Sequence, residues 1–215
     1  MSGGVVASSQ RSRRLEIVAT VLLAFAAVAT AWSSYQAARW TAEQTKAFSA
    51  ANASRADATQ ASALANAQTQ VDVAVFIQWV EARATGENDL ADFYRTRFRE
   101  EFIPAFESWL ATDPLEDPDA PLTPFAMPDY RVAKAVEAAR LNAAAEASAA
   151  DAREFIQRAT NYVLGVVLFA VSLFFAAVST KLSSPRLRTV VLVLGCTVLL
   201  GTLAWIATFP VSISI

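Results

Sequence analysis

The sequence predicts an all-α, three-span integral membrane protein with a long antiparallel helical hairpin that projects outside the membrane. Hydrophobic residues make up 54% of the 215 residues and concentrate in three blocks, at 15–32, 162–180 and 189–209. Each block approaches the roughly 20 apolar residues that cross a hydrocarbon core. Residues 15–85 contain no Gly and no Pro, so nothing interrupts a helix there. At 1.5 Å per residue this helix would be about 105 Å long.

The positions of the remaining elements follow from local composition and from helix-breaking residues. Ala-rich segments on both sides of a Pro-rich stretch predict two helices that approach closely as an antiparallel pair. The predicted order is a basic tail (1–14), transmembrane helix 1 (15–32), a long helix (33–85), tip helices (88–111), a Pro- and Asp-rich strap (112–128), a return helix (129–161), transmembrane helix 2 (162–180), a link (181–188), transmembrane helix 3 (189–209) and a C-terminal tail (210–215).

Basic residues near the spans predict the topology. They cluster before the first span and between the second and third, at Arg11, Arg13, Arg14, Lys181, Arg186 and Arg188. The positive-inside rule places both groups in the cytoplasm. Residues 33–161 and the C-terminus are therefore expected outside. Aromatic residues expected at the outer interface are Trp32, Tyr35, Tyr162 and Trp205.

The N-terminus also has a second interpretation. Its basic residues, the following apolar run and the small residues Ala29, Thr30 and Ala31 resemble a secretory signal with a cleavage site. Whether residues 1–31 are removed is left open. Either interpretation exports the segment that follows.

Small side chains recur along the first helix at alternating spacings of four and three. They are Thr20, Ala24, Ala27, Ala31, Ser34, Ala38 and Thr41. This spacing places them on one helix face, where small residues permit close helix approach. We expect this face to pack against the return helix within the chain. The alternative is a contact between copies of the chain.

Bulky residues concentrate where the long helix is expected to extend beyond its partner. The run VDVAVFIQWV (71–80) is followed by Gly86 as a stop and Asn88 as a cap. The next segment, LADFYRTRFREEF, is predicted to be a helix with Leu90, Tyr94, Phe98 and Phe102 on one face, and Pro104 to begin another helix. We predict an aromatic core that contains Trp79, Phe98, Phe102 and Trp109.

The strap (112–128) holds five of the eight prolines, which predicts a stiff, extended connection. Leu115, Leu122, Phe125 and Met127 are expected to hold it against the helices. Its acids, between Asp113 and Asp119, lack the alternating ligands and Gly of an EF-hand loop. A solvated acidic turn is therefore favoured over a cation site.

Few residues are suited to catalysis. The chain has no His, which removes the commonest general base and metal ligand. Cys196 is expected to be a buried small apolar residue. In RTRFREE, the charges Arg95, Arg97, Arg99, Glu100 and Glu101 are expected to pair at i,i+3 and i,i+4 on a solvated face, with an anionic-ligand site as the alternative. The sequence predicts no catalytic residue, no cofactor-binding residue, no metal site and no enzyme.

The segments ATAWSSYQAARW (29–40), FYRTRFREEFIPAFESWLATDP (93–114), DAPLTPFAMPDY (119–130) and NYVLGVVLFAVSLFFAAVSTKL (161–182) resemble a family of uncharacterised small bacterial integral membrane proteins. The resemblance implies a bacterial membrane location and the same three-span layout. It implies no activity, cofactor or functional residue.

Two function classes remain for the chain. The first is a membrane-anchored helical spacer or interaction protein of the bacterial envelope, whose partners are the lipid bilayer, an unidentified envelope protein and, through the Thr20–Ala38 face, another copy, with no nucleic acid. The second is a subunit of an oligomeric channel or transporter, with a pore lined by Thr20, Thr30, Ser172, Thr197 and Thr202. Transport pathways commonly place ionisable groups within the membrane, and the second and third blocks contain no Asp, Glu, Lys, Arg or His. The first class is favoured.

Overall fold

A computed structural model describes the backbone of residues 3–114 and 116–212, and the side chains of residues 13, 16–114 and 116–212. Over these ranges the chain is all-α, as predicted, and has no strand. The helices are α1 (Gly3–Ala84), α2 (Asn88–Arg95), α3 (Ile103–Leu110), α4 (Ala133–Lys181) and α5 (Pro185–Ile206), with a 3₁₀ turn at Pro124–Ala126. In the described chain α1, α4 and α5 are long and apolar enough to cross a membrane, which indicates a multi-pass membrane protein.

Glycine and proline define several helix ends. Gly86 follows α1 with a φ of 80°, a left-handed conformation that glycine adopts without strain. Pro185 begins α5, where its missing N–H would have no partner within the helix. Pro104 is the second residue of α3 rather than the first. Asn88 is not the cap that was predicted, since Glu87 occupies that position and the Asn88 side-chain oxygen accepts from Arg83 Nη1 at 2.6 Å.

Other predicted boundaries also change. Helix α2 ends at Arg95, so Phe98 and Phe102 enter the core from turns, and Leu90 remains 38% exposed. The strap forms successive turns instead of an extended run, and α4 begins at Ala133 rather than at 129. Helical backbone already begins at Gly3 within the predicted tail. The side chains of Arg11 and Arg14, and the strap residue Leu115, lie outside the described residues.

The chain divides into two units, and α1 and α4 contribute to both. The span unit comprises residues 1–48 and 149–215, and the central unit comprises residues 49–148. Each unit has its own apolar cluster, described separately below.

In the span unit, α1, α4 and α5 share one core. Its fully buried side chains include Ala26 of α1, Phe169 of α4 and Ala176 of α4. At Gly165 a side chain would meet Ile206 Cδ1 at 2.3 Å, so the Ile206 side chain of α5 packs directly on the α4 backbone and would have to move to admit one. The α4–α5 contact also includes a buried hydrogen bond of 2.8 Å from Ser172 Oγ to the Gly195 carbonyl oxygen.

In the central unit, α1 and α4 meet along alanine-lined faces. The buried alanines are Ala51, Ala58, Ala61 and Ala65 on α1, and Ala138 and Ala145 on α4. Arg55 approaches Glu146 at 3.6 Å, and residues further along α1 lie beside earlier residues of α4. The two helices are therefore antiparallel in this unit, which agrees with the predicted pairing of the Ala-rich segments.

Candidate functional site

Asp72 is a buried charged residue of the central unit. It lies on α1 within the apolar run at 71–80 and is only 2% exposed. Its two carboxylate oxygens accept from Nε and Nη2 of Arg99, each at 2.9 Å. This two-bond geometry is the strongest pairing available between arginine and a carboxylate. The hydrogen bonds that Arg99 donates to Asp72, opposed by burial, leave the pKa of Arg99 raised above its ordinary value.

Two further residues complete this network, which we call the Asp72 network (Asp72, Arg99, Glu101 and Tyr130). Tyr130 Oη donates to Asp72 Oδ2 at 3.1 Å, and Arg99 Nη1 donates to Glu101 Oε2 at 2.8 Å. Burial raises the pKa of the Tyr130 phenol, although a hydrogen bond with Thr69 opposes the shift. The Asp72 carboxylate of α1 thus binds Arg99 in the turn before α3 and Tyr130 in the segment before α4. Its acceptor capacity is used inside the fold, so this network suits stabilisation rather than chemistry.

The aromatic core packs around the same helix. The four predicted members lie in one buried cluster with Phe76 and Phe106, so this prediction is confirmed. Phe102 is fully buried, and its ring centroid lies 5.0 Å from that of Phe98 and 5.2 Å from that of Phe125. Trp109 Nε1 donates to the Pro121 carbonyl oxygen at 2.6 Å, which ties the strap to α3.

The expected pairing along RTRFREE is wrong. Arg99 pairs with Asp72, 27 positions earlier in the chain, and with Glu101, two positions later. Arg95 instead reaches Glu107 of α3 at 3.4 Å, and Arg97 lies over the Phe93 ring at 5.0 Å. Helix α2 ends at Arg95, so Arg99 lies in the turns that follow and outside the helix on which the expected spacing depends. Sequence reasoning missed Asp72, although a single acid within an apolar run was a usable signal.

Among the described residues, no group of three or more His, Cys, Asp or Glu side chains is placed to hold a metal ion. The Asp117 carboxylate accepts from the backbone N–H of Asp119 at 2.9 Å. Phe125 and Met127 pack on the aromatic cluster as expected. Leu122 does not, because it is 93% exposed.

An open groove beside α2 and α3 lies next to the aromatic core. It encloses about 400 Å³ and is lined by Asp92, Arg95, Thr96, Phe98, Ile103, Phe106 and Glu107. Its apolar floor and charged rim resemble the make-up of protein interfaces, which have apolar centres and polar edges.

In the span unit, the small-residue face of α1 is exposed. Each of its members is exposed within the chain, namely Thr20, Ala24, Ala27, Ala31, Ser34, Ala38 and Thr41. The expectation that this face packs against the return helix is therefore wrong. The intramolecular contact uses a different face, which contains Leu22, Ala26, Ser33, Gln36 and Trp40. Larger side chains on that face fill the space between the three helices, which alanine alone would leave empty.

The hydroxyl groups suggested for a pore do not converge. Ser172 and Thr202 are buried, whereas Thr20 and Thr197 are exposed. All five hydroxyls donate to backbone carbonyl oxygens, at distances between 2.7 and 3.0 Å. Tyr162 is also not an interfacial anchor, since it is 1% exposed and donates to the Pro210 carbonyl oxygen. Cys196 is half-buried in an apolar groove between α1 and α5.

Comparison with models of known protein families, with curated proteins and with solved structures finds no match. The resemblance to small bacterial membrane proteins thus stays a prediction.

Replacing Phe102 by Ala should destabilise the central unit by about 3–5 kcal/mol, because a fully buried ring would be replaced by a cavity. Urea unfolding of the detergent-solubilised full chain, followed by Trp fluorescence, measures this loss. Phe93→Ala is the matched control, since Phe93 is 51% exposed and should cost less than about 1 kcal/mol. Equal losses in the two variants would contradict the assigned core.

Replacing Asp72 by Ala should cost about 3 kcal/mol, because it leaves the Arg99 guanidinium without its buried partner. The double variant Asp72→Leu, Arg99→Met should recover at least half of this loss, since the one charge left without its partner, on Glu101, is 39% exposed to solvent. Breaking the exposed Arg95–Glu107 pair with Arg95→Met should cost less than about 1 kcal/mol. A double variant no more stable than Asp72→Ala in the same urea assay would disprove this role for the ion pair.

Proposed function

We propose that this protein is a membrane-anchored helical spacer and interaction protein of the bacterial envelope, without catalytic activity of its own. The observation that carries the proposal is the exposure of the small-residue face of α1, from Thr20 to Ala38. In a bilayer, small residues let a second helix approach closely, and helix association there depends on such packing. A second copy of the chain is the partner with a complementary surface.

The proposed location is the bacterial cytoplasmic (inner) membrane, with the N-terminus and residues 181–188 in the cytoplasm. Residues 33–161 and the C-terminus would then lie outside. Support comes from the exposed basic side chains of Arg13, Lys181 and Arg186, which suit the cytoplasmic face. The bacterial assignment rests on the sequence resemblance. In this orientation the central unit would be available to another envelope protein, and the groove beside α2 and α3 is our candidate for that contact.

The alternative, a subunit of an oligomeric channel or transporter, has less support. The hydroxyls that would line its pore already donate to backbone carbonyl oxygens of the helices. Apart from Thr197, whose hydroxyl donates to the Val193 carbonyl oxygen, the exposed side chains on the same side of α5 are aliphatic, as at Val190, Val193 and Leu200. These groups favour contact with lipid or another helix over contact with water.

Cysteine crosslinking tests the contact between copies. In a Cys196→Ala background, Ala27→Cys or Ala31→Cys should form disulfide-linked dimers in native membranes, because both positions lie on the small-residue face. Val28→Cys is the control, since Val28 is 70% exposed but lies off this face. Dimer yield on non-reducing gels should be several-fold lower for Val28→Cys. Equal yields at all three positions, or none, would reject the proposed face.

Single-cysteine labelling tests the orientation. In the same background, cysteine at Ser62 should react with a membrane-impermeant maleimide in intact cells from which any outer membrane has been permeabilised. Cysteines at Ser9 and Ser184 should react only after the inner membrane is opened. Protection of position 62 in intact cells would reverse the proposed topology.

A further inference from the structure

Three buried polar groups on one face of α1 have no hydrogen-bond partner among the described residues. They are Ser33 Oγ, Gln36 Nε2 and Trp40 Nε1. Their residues are 1%, 0% and 7% exposed, respectively. Positions separated by three, four and seven residues share a helix face. Buried polar groups in folded proteins are nearly always satisfied by protein or by ordered water.

The orientation of the Gln36 amide is set by the segment after α5. Ser212 N–H donates to Gln36 Oε1 at 3.1 Å. Because an N–H requires an acceptor, the oxygen of the amide must face Ser212 and the NH₂ must face away from it. The unpaired group is therefore a donor. Trp40 Nε1 is also a donor, since indole nitrogen has no acceptor capacity.

The same segment covers this end of the span unit. Tyr162 Oη donates to the Pro210 carbonyl oxygen at 3.2 Å. The Phe209 ring packs against the rings of Tyr162 and Trp205, with centroid separations of 5.7 and 4.8 Å. Residues 207–212, which we call the C-terminal strap, are thus attached to α1 and α4 through Gln36 and Tyr162.

We propose that Ser33, Gln36 and Trp40 form a buried site for ordered water, closed by the C-terminal strap. Water fits the chemistry because it accepts from the Gln36 and Trp40 donors and can donate to Ser33 Oγ. All three polar atoms are shielded from bulk solvent, so only an internal water could satisfy them. Opening the C-terminal strap would remove the contact at Gln36 Oε1 and admit bulk solvent to the site.

The test is NMR of the full chain in detergent micelles, with ¹⁵N in Gln and Trp side chains. Paired NOE and ROE spectra separate direct water contact from chemical exchange. A long-lived water contact is expected at the Gln36 amide and at the Trp40 indole, which Trp40→Phe identifies. Trp109 is the matched control, since it is equally buried but donates to Pro121 and should show none. No water contact at Gln36 or Trp40 would overturn the proposal.

A second measurement tests whether the C-terminal strap closes the water site. Deleting residues 210–215 should accelerate hydrogen exchange of the Gln36 side-chain amide with solvent by at least tenfold, and leave the Trp109 indole unchanged. If the truncated chain does not elute as a single helical species, Tyr162→Phe is the alternative variant. It removes only the hydrogen bond to the Pro210 carbonyl oxygen and should give a smaller increase in the exchange rate of the Gln36 amide. An unchanged exchange rate of the Gln36 amide in a folded variant would show that the C-terminal strap does not close the site.

Discussion

Backbone hydrogen bonding constrains most of this structure. Where water is absent, each N–H and C=O must find a partner inside the chain, and a helix supplies these partners locally. The chain meets this requirement by keeping proline out of the interiors of α1, α4 and α5, and by placing Pro185 at a helix start. The first glycine after Gly4 is Gly86, which ends α1. Prolines concentrate instead in the strap, where turns replace helix and side chains such as Phe125 contact the core.

Much of the fold follows from this constraint and was therefore predictable. Hydrophobic blocks and an absence of breakers suffice to predict three apolar helices, and a cluster of bulky residues suffices to predict the aromatic core around Phe102. The end of α2 at Arg95 was not predictable from propensity, because RTRFREE has the composition of a good helix. Tertiary contacts decide it: Phe98, Arg99 and Phe102 all reach buried partners from turns. Packing against distant residues routinely overrides local helix preference.

The polar groups were harder to predict than the apolar ones. The Asp72–Arg99 pair joins residues 27 positions apart, and no local spacing rule connects them. Periodicity correctly placed the small residues from Thr20 to Ala38 on one face, but periodicity does not say which partner that face meets. The face that packs inside the chain carries Leu22 and Trp40, both members of the buried core that α1, α4 and α5 share. Both cases show the same limit: a sequence pattern reveals which residues share a face, and only the fold reveals what lies opposite.

We propose that these helices serve contact between proteins rather than passage of ions. Purified wild-type chain reconstituted in planar bilayers tests it most directly, with empty bilayers and the Thr20→Leu and Thr30→Leu variants as controls. We expect no conductance above that of empty bilayers, for wild type and variants alike. Reproducible wild-type conductance that either leucine substitution abolishes would contradict it and establish a pore.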